Sequence, residues 1–341
     1  MKIGLLFGGD SYEHDISIIT ASVIYEKLKN DFELILLYIS KDKKFISPKK
    51  ILVKEFIKSN FKREFKFISG GVKIGCVNHE LTAIISLMHG ENGEDGLGSI
   101  LANLYDIPFV GTNNISGGLL LDKYFTYAIL RQNNINILES NFYYKKDKLQ
   151  ESDYPIIAKP ARLGSSIGIN VINSIDELYK VKNCFLYDEK IIIQKYLQSF
   201  TEYNQAAYKY NDEIFLSEIE EVKKSDEILS FTDKYSEAKV VKKHKFITDK
   251  KIIDEISEIT KKVYKLFNLS GIIRIDYLLY EDIIYVNEVN TTPGSLSYYL
   301  FKENFTDIVR KLIKEALINK QKQNSKIYYS DVLTINYSYK K

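Results

Sequence analysis

Residues 156–168 read IIAKPARLGSSIG, a short apolar run followed by a lysine and a glycine-rich loop. The apolar residues 156–158 have the pattern of a buried strand, which would place Lys159 at its end. Gly164 and Gly168 let the backbone approach a ligand closely, and exposed N–H groups between them can form a nest for an anion. The segment has neither the Gly-Lys-Ser/Thr ending of a P-loop nor the Gly-x-Gly-x-x-Gly spacing of a dinucleotide fold. We therefore predict a loop that grips a polyphosphate, with a flexible surface hairpin as the alternative for this segment alone.

A second polar group lies near the other end of the chain. Arg274-Ile275-Asp276 and Asn287-Glu288-Val289-Asn290 are separated by a turn around residues 281–282. Alternate residues of a strand share a face, so Glu288 and Asn290 point together, and pairing of the two strands can bring Asp276 beside them. Mg²⁺ prefers hard oxygen ligands and takes one or two carboxylates together with substrate phosphates. The hairpin predicts a magnesium site, and a solvent-facing polar strip is the alternative.

The length and apolar pattern predict the arrangement around these two segments. A chain of 341 residues exceeds the size at which one hydrophobic core stops growing, so two or three lobes are expected. Apolar runs predict strands at 3–7, 34–39, 83–88, 107–110, 156–159, 191–193, 203–210 and 213–218, and a hairpin over 272–289. Helical spacing predicts helices at 16–28, 119–129, 252–267 and 305–318. The first lobe is thus an α/β layer that ends near residue 111.

Composition excludes several classes of function. The net charge is +3 from 48 basic and 45 acidic residues, so no global field favours nucleic acid or a membrane surface. No run of about 18 apolar residues could span a bilayer. The N-terminus turns to glycine and aspartate after a few apolar residues, which indicates a first strand rather than a signal peptide, and hence a cytoplasmic protein. Cys76 and Cys184 lack the number and spacing of a disulfide framework or a zinc site, and both are expected in the core.

Taken together, the motifs resemble those of D-alanine–D-alanine ligases of the ATP-grasp superfamily over roughly residues 1–315. The matching pieces occur in the family's order: Gly8-Gly9, Glu13-His14, Ser17, His89-Gly90, Gly93-Glu94-Asp95-Gly96, Asp122-Lys123, Lys159-Pro160, Gly164-Ser165-Ser166-Ile167-Gly168, Arg274-Ile275-Asp276, Asn287-Glu288-Val289-Asn290-Thr291 and Pro293-Gly294. Any one piece could arise by chance, but the ordered set is specific. The segments around Glu13 and His89 belong to the D-alanine branch of the superfamily.

The resemblance implies an α/β (α+β) protein with a three-lobed ATP-grasp fold and an N-terminal α/β layer domain. The expected divisions are an N-terminal substrate domain over 1–115 and a central ATP-grasp lobe with the glycine-rich loop over 116–200. A C-terminal ATP-grasp lobe with a mobile loop and the metal site follows over 201–320, and a tail over 321–341. The family also suggests a homodimer.

The resemblance further implies a reaction. In the family, the carboxylate of one D-alanine attacks the γ-phosphorus of ATP to give an acyl phosphate, and the amine of a second D-alanine then displaces phosphate. This step serves peptidoglycan precursor synthesis. Catalysis of this kind depends on positioning and charge neutralisation. The expected cofactors are ATP and two Mg²⁺ ions, with Mn²⁺ as a substitute.

Individual roles carry over to matching positions. Lys123, Lys159, Ser165 and Lys234 match groups at the ATP phosphates, with Lys234 on a mobile loop over 231–235 that would close over the site and exclude water. The adenine and ribose positions match those of Lys195, Leu197 and Glu202. The metal ligands match Asp276, Glu288 and Asn290.

The substrate positions follow in the same way. Glu13 matches the carboxylate that binds the ammonium group of the first D-alanine, and His89 matches a residue near that substrate. Arg274 and the backbone of Gly294 match groups that stabilise the tetrahedral intermediate or hold a substrate carboxylate. Ser166 and Tyr235 match a hydrogen-bond network with Glu13.

Two positions depart from the commoner family pattern. Tyr299 stands where a serine usually contacts the second substrate's carboxylate, which leaves selectivity at the second site open, with Ser295 or Ser297 as substitutes. Gln194 stands where an acidic residue is common beside the adenine, a change we expect to be tolerated because an amide both accepts and donates.

Three other functions remain open at this point. The same fold could make D-alanyl-D-lactate or D-alanyl-D-serine, which the second-substrate pocket would decide. A catalytically silent nucleotide-binding protein could keep the fold, although it would have no need of Lys159, Arg274 and the acidic residues. An ATP-grasp ligase for another carboxylate and amine would differ in its need for Glu13, and fold analogy alone does not reject it.

Overall fold

The computed structural model describes residues 1–51, 53–56, 63–149, 154–222 and 244–324. Its strands are β1 (Lys2–Gly8), β2 (Glu33–Ile39), β3 (Phe45–Ile46), β4 (Phe65–Ile68), β5 (Gly71–Ile74), β6 (Val77–Glu80), β7 (Ala83–Ser86), β8 (Phe109–Val110), β9 (Ser140–Tyr144), β10 (Ile156–Pro160), β11 (Asn170–Ile172), β12 (Lys190–Lys195), β13 (Thr201–Tyr210), β14 (Glu213–Val222), β15 (Lys245–Phe246), β16 (Ile273–Tyr280) and β17 (Ile283–Asn290). Its α-helices are α1 (His14–Leu28), α2 (Val53–Phe56), α3 (Leu97–Leu104), α4 (Asn114–Leu121), α5 (Lys123–Gln132), α6 (Val181–Cys184), α7 (Lys250–Leu266) and α8 (Phe305–Asn324), and 3-10 helices cover Ile175–Lys180 and Gly294–Leu300.

The first lobe is built on a sheet of order β3-β2-β1-β7-β8, in which β1 pairs in parallel with β2 and β7. Its strands are continuous apolar runs, as expected of a parallel sheet that is covered on both faces. A separate three-stranded antiparallel sheet, β4-β5-β6, lies at its side. The predicted strands of this lobe are confirmed, but the strands of the smaller sheet were not predicted.

The central lobe carries the antiparallel sheet β11-β10-β12-β9, and the third lobe carries β15-β14-β13-β16-β17. Strand β10 leads directly into the glycine-rich loop, and β16 pairs with β17 in the predicted hairpin. The mixed α/β class with several sheets is therefore confirmed. Strand β9 was not predicted.

The helix predicted over 119–129 is wrong as a single element. The chain leaves helical geometry at Asp122, which has φ −91° and ψ 110°, so that α4 ends and α5 begins there. The Asp122 carboxylate accepts a hydrogen bond of 2.9 Å from the Tyr124 backbone and caps the new helix. This break turns Lys123 toward the site described below.

The core of the first lobe is completed by distant parts of the chain. Leu5 and Phe7 of β1 pack in one buried cluster with Ile308 and Leu312 of α8, and with Tyr208 of β13. The third lobe has a separate core between its sheet and α7, and the central lobe has a small one. The boundaries at 115, 200 and 320 stay predictions.

Two smaller expectations concern the cysteines and the membrane. Cys184 is buried, but Cys76 is exposed in the turn after β5, so the expectation of a core position is wrong for Cys76. Within the described ranges, no helix is both long enough and apolar enough to cross a bilayer.

Candidate active site

A glycine turn at the end of β1 leads the chain to the buried residue Glu13. Gly8 has φ +97°, and a Cβ added there would lie 2.1 Å from the carbonyl oxygen of Ile39, so only glycine fits. The chain then reaches Glu13, which directly precedes α1 and is 9% exposed. The Ser165 hydroxyl, from the glycine-rich loop of the central lobe, donates a hydrogen bond to the Glu13 carboxylate. The turn and the loop thus meet at one carboxylate.

The Glu13 carboxylate is closely surrounded. A Cβ added at Gly90 would lie 3.0 Å from Oε2 of Glu13, and one added at Gly164 would lie 3.5 Å from Oε1. Burial raises the pKa of Glu13, and the nearby carboxylate of Glu94 raises it further, while His89 and the Ser165 hydroxyl act in the opposite direction. A cation that enters this pocket would relieve that elevation.

His89 and Glu94 extend the pocket. The His89 ring lies with Nε2 at 3.0 Å from the Thr20 hydroxyl oxygen and Nδ1 at 3.5 Å from Oε1 of Glu94. Burial lowers the pKa of His89 to about 4, so the ring is neutral at physiological pH. Burial and the charge of Glu288 raise the pKa of Glu94 to about 8. The Ser295 backbone N–H donates to the Thr20 hydroxyl at 3.2 Å, which ties this group to the third lobe.

Two lysines lie between the glycine-rich loop and the hairpin. The ammonium group of Lys123 donates to the Leu163 carbonyl oxygen at 2.7 Å and lies 3.1 Å from Oε1 of Glu288. Lys159 is 9% exposed, and burial together with the charge of Lys123 lowers its pKa to about 8. A polyphosphate bound beside the two groups would favour the charged form of Lys159.

The glycine-rich loop has an unusual backbone conformation. Ser165 and Ser166 have φ of 52° and 60°, in the left-handed region that side chains rarely adopt. Arg162 at its start is fixed on the Asp188 carboxylate, with Nη2 at 2.8 Å from Oδ1 and the backbone N–H at 2.9 Å from Oδ2. Successive residues in such a conformation can form a nest of backbone N–H groups for an anion, and the polyphosphate-binding role of the loop stays a prediction.

The hairpin of β16 and β17 brings the predicted metal ligands together. Asp276 is paired directly with Glu288, and a bulge follows Asp276. The amide nitrogen of Asn290 lies 3.1 Å from Oδ2 of Asp276. Arg274 holds the same carboxylate with Nε at 2.6 Å from Oδ1 and Nη2 at 2.9 Å from Oδ2. Asn204 of β13, with its amide nitrogen turned toward β16, adds a hydrogen bond of 3.1 Å to Oδ1.

This oxygen-rich group fits a magnesium ion that is also bound by phosphate. Among the described residues, no three His, Cys, Asp or Glu side chains cluster as a self-sufficient metal site. Asp276 and Glu288 supply two carboxylates on one face, which matches the small number of protein ligands that Mg²⁺ takes when phosphate oxygens complete its shell. The cationic partners of the two carboxylates, Arg274 and Lys123, compensate their charge.

The predicted nucleotide-base positions lie at the end of β12. Lys195 ends the strand and is exposed, Leu197 is 6% exposed, and Glu202 is half-buried on β13. Gln194 is buried, and its amide donates to the Ser140 hydroxyl at 2.8 Å. The amide is therefore accommodated in the fold by a hydroxyl partner, and the tolerance of this change beside the adenine stays a prediction.

The 3-10 helix that begins at Gly294 forms the remaining wall. Ser295, Leu296 and Ser297 all have positive φ, between 47° and 51°, and the Ser297 hydroxyl is buried with no described hydrogen-bond partner. Tyr299 is half-buried on the same segment, with the Arg274 guanidinium as an electrostatic neighbour of its hydroxyl. Arg274 therefore lies between the predicted metal ligands and the residue that departs from the family pattern.

Two family models match the chain. The model described as D-ala D-ala ligase N-terminus covers residues 2–112, and the model described as D-ala D-ala ligase C-terminus covers residues 123–314.

This chain belongs to the D-alanine–D-alanine ligase family.

Full-length relatives agree with this assignment. A D-alanine–D-alanine ligase from Thermosipho melanesiensis is 33% identical, with 93% of this chain and 94% of the relative covered. One from Campylobacter jejuni is 32% identical, with 98% of each chain covered. Similar solved structures include the D-alanine–D-alanine ligase from Helicobacter pylori, with a TM-score of 0.78 at 27% identity, 92% of this chain and 98% of that one covered. The expectation of an ATP-grasp ligase fold is confirmed.

The neighbours also include the VanG D-Ala:D-Ser ligase from Enterococcus faecalis. It has a TM-score of 0.75 at 24% identity and covers 92% of this chain and 99% of its own. At that identity the likeness concerns the fold alone, so it does not decide between the products considered above.

Within this ligase fold, Glu13 contacts the glycine-rich loop through Ser165. Lys123 lies beside Glu288, which pairs with Asp276 across the hairpin. The hydroxyl that contacts Glu13 is that of Ser165, one residue before the Ser166 expected there, and the role of Ser166 stays a prediction. Lys234 and Tyr235 of the predicted mobile loop lie outside the described residues.

Three residues that the fold places at the site had no predicted role: Thr20, Glu94 and Asn204. Glu94 was quoted as part of a motif, and its approach to His89 across the loop was not visible in the spacing. Asn204 lies two residues after Glu202 on β13, so strand alternation could have placed both on one face.

Proposed function

We propose that this protein joins two molecules of D-alanine to D-alanyl-D-alanine with consumption of ATP and release of ADP and phosphate. The observation that carries the proposal is the position of Glu13. Its buried carboxylate meets the glycine-rich loop of the central lobe through Ser165. An amino acid with its ammonium group on Glu13 would therefore have its carboxylate close to the polyphosphate that this loop binds.

The charge distribution is suited to both chemical steps. Lys123 and Lys159 neutralise phosphate charge as the carboxylate of the first D-alanine attacks the γ-phosphorus and an acyl phosphate forms. Arg274 and the Gly294 backbone are proposed to stabilise the tetrahedral species formed when the amine of the second D-alanine attacks. Preorganised positive groups in a water-poor site lower the cost of developing negative charge.

We propose that Asp276, Glu288 and Asn290 hold two Mg²⁺ ions, or Mn²⁺, between protein and phosphates. Bound divalent ions would supply charge neutralisation of the β- and γ-phosphate oxygens. Residues of the chain orient the two carboxylates: Arg274 and Asn204 form hydrogen bonds with Asp276, and Lys123 forms an ion pair with Glu288. Lys195, Leu197 and Glu202 are proposed to bind adenine and ribose.

The cellular setting belongs to the same proposal. A ligase of this family acts on small molecules, and we propose that this one works as a homodimer in the cytoplasm, where peptidoglycan precursors are made. The near balance of basic and acidic residues supports the absence of a nucleic-acid or membrane partner.

The test is phosphate release from ATP and magnesium with D-alanine, with L-alanine, and with D-alanine plus D-lactate or D-serine, followed by mass spectrometry of the products. D-alanine alone is expected to give dipeptide and one phosphate per dipeptide, whereas L-alanine gives neither. A mixed product alone would assign the second pocket to D-lactate or D-serine. No turnover with any of them would indicate the silent nucleotide-binding protein.

A further inference from the structure

Tyr299 has a neighbour at its hydroxyl and another at its ring. The Arg274 guanidinium is an electrostatic neighbour of the hydroxyl, and burial raises the pKa of this hydroxyl, so it is protonated at neutral pH. The imidazole of His244 stacks on the phenol ring, with ring centroids 4.4 Å apart and planes 22° apart. The tyrosine is therefore held between a strand residue of the hairpin and a residue of the sheet edge.

His244 is itself anchored. Its Nδ1 lies 2.5 Å from Oε1 of Glu220, and its side chain is 30% exposed. The next two residues form β15, which pairs with β14 in the register Glu220 with Phe246 and Glu221 with Lys245. The edge strand and the carboxylate of Glu220 together fix the plane of the imidazole over Tyr299.

We propose that His244 is a positioning residue for the ligation reaction: by stacking on Tyr299 it fixes the tyrosine hydroxyl against the Arg274 guanidinium and so shapes the site for the second amino acid. The inference rests on the proposed function and extends it to a residue outside the predicted site. His244 makes no described contact with Glu13, Lys123 or Lys159, so its influence is expected at the second amino acid and not at ATP.

The same edge strand offers a matched control. Lys245 lies 2.7 Å from Oε1 of Glu221, an exposed ion pair on the residue next to His244 that has no described contact with Tyr299. Replacement of Lys245 loosens the edge strand in a similar way but leaves the ring stack in place. The two variants therefore separate loss of the strand from loss of the stack.

The experiment compares wild type, His244→Ala, His244→Phe, Tyr299→Phe, the double variant His244→Ala/Tyr299→Phe and Lys245→Ala. Steady-state rates are measured against D-alanine over a range that resolves two binding events, and against ATP, with thermal unfolding in parallel. His244→Ala is expected to raise KM for the weaker-binding D-alanine about three- to tenfold, the worth of one aromatic pair. KM for ATP and the unfolding temperature are expected to match those of Lys245→Ala.

Two further variants test the route. His244→Phe keeps a ring on Tyr299 and is expected to recover most of the loss. The double variant is expected to be no worse than the more affected single variant, because both changes act on one hydroxyl. Three results would overturn the inference. The first is a KM for D-alanine in the double variant that rises by the product of the two single effects. The others are a change in KM for ATP alone and the same KM for D-alanine in His244→Ala and Lys245→Ala. A wild-type protein that makes no dipeptide would instead overturn the proposed function, and the inference with it.

Discussion

The site contains two groups of carboxylates that the fold treats in opposite ways. On the hairpin, Asp276 forms an ion pair with Arg274 and Glu288 forms one with Lys123, so each carboxylate has a cationic partner. In the pocket at the start of α1, Glu13 and Glu94 are surrounded by hydroxyl groups, glycine backbone and a neutral imidazole, with no lysine or arginine at ion-pair distance among the described residues. The hairpin is compensated from within the chain, and the pocket is not.

The difference indicates which ligand each group receives. The hairpin carboxylates have cationic partners without a ligand, as suits a site that takes a divalent ion together with phosphate. The pocket carboxylates have raised pKa values because burial is uncompensated, and an ammonium group would supply the missing positive charge. The comparison therefore predicts that a change in one group alters metal dependence, whereas a change in the other alters amino-acid binding.

The largest effect is expected from Asp276→Asn on the hairpin. The variant removes a proposed metal ligand and leaves the guanidinium of Arg274 buried without its partner, which costs about 3 kcal/mol of stability. We expect a lower unfolding temperature and a higher magnesium concentration for half-maximal rate. Asp282→Asn in the exposed turn of the same hairpin is the control. If the magnesium dependence of Asp276→Asn matched that of wild type, Asp276 would not be a metal ligand.

The second effect tests the pocket. Glu13→Gln keeps the shape of the side chain but removes the charge that would face the substrate ammonium group, a loss of about 2 kcal/mol or roughly thirtyfold in binding. KM for the tighter-binding D-alanine should rise by that factor while the magnesium dependence stays as in wild type. Asp15→Asn, at an exposed position on the same helix, serves as the control. A shift in magnesium dependence instead would break the division between the two groups.

The smallest effect concerns pH. Since the pKa of Glu94 is raised from 4.5 to about 8, the folded protein binds a proton that the unfolded chain has released between those two values. The energetic cost of Glu94 is absent below pH 4.5 and fully present above pH 8. Glu94→Gln should therefore unfold close to the wild-type temperature at pH 5, and be more stable than wild type at pH 8.5 by at least ~1.4 kcal/mol.

Thermal unfolding at both pH values measures this difference. Glu91→Gln, an exposed position three residues earlier, is expected to show no dependence on pH relative to wild type. Equal stability of Glu94→Gln and wild type across the range would mean that the pocket is compensated as well, and the contrast with the hairpin would be lost.

The sequence predicted the parts of the fold that depend on local pattern. The strands of the first sheet, the hairpin and the grouping of Asp276, Glu288 and Asn290 follow from apolar periodicity and strand alternation. The break at Asp122 was missed because apolar spacing continues through it, and only the capping carboxylate reveals the new helix. The short strands β4 to β6 were missed for the opposite reason, since four-residue runs give too little pattern.

Residues of the site could be predicted from the sequence only where they belong to a recognisable motif. Glu13 and Ser165 are 152 residues apart in sequence, and no spacing rule brings them together. The approach of Glu94 to His89 and the stack of His244 on Tyr299 arise from tertiary packing, which a single sequence does not encode in any local signal.

The packing of α8 against β1 has a consequence for biosynthesis. The first strand is synthesised long before the residues that cover it, Ile308 and Leu312. Contacts between such distant segments form slowly because a long loop must close first. Until α8 has been synthesised, the first sheet carries an uncovered apolar face, which exposes the unfinished chain to aggregation if synthesis stalls before α8.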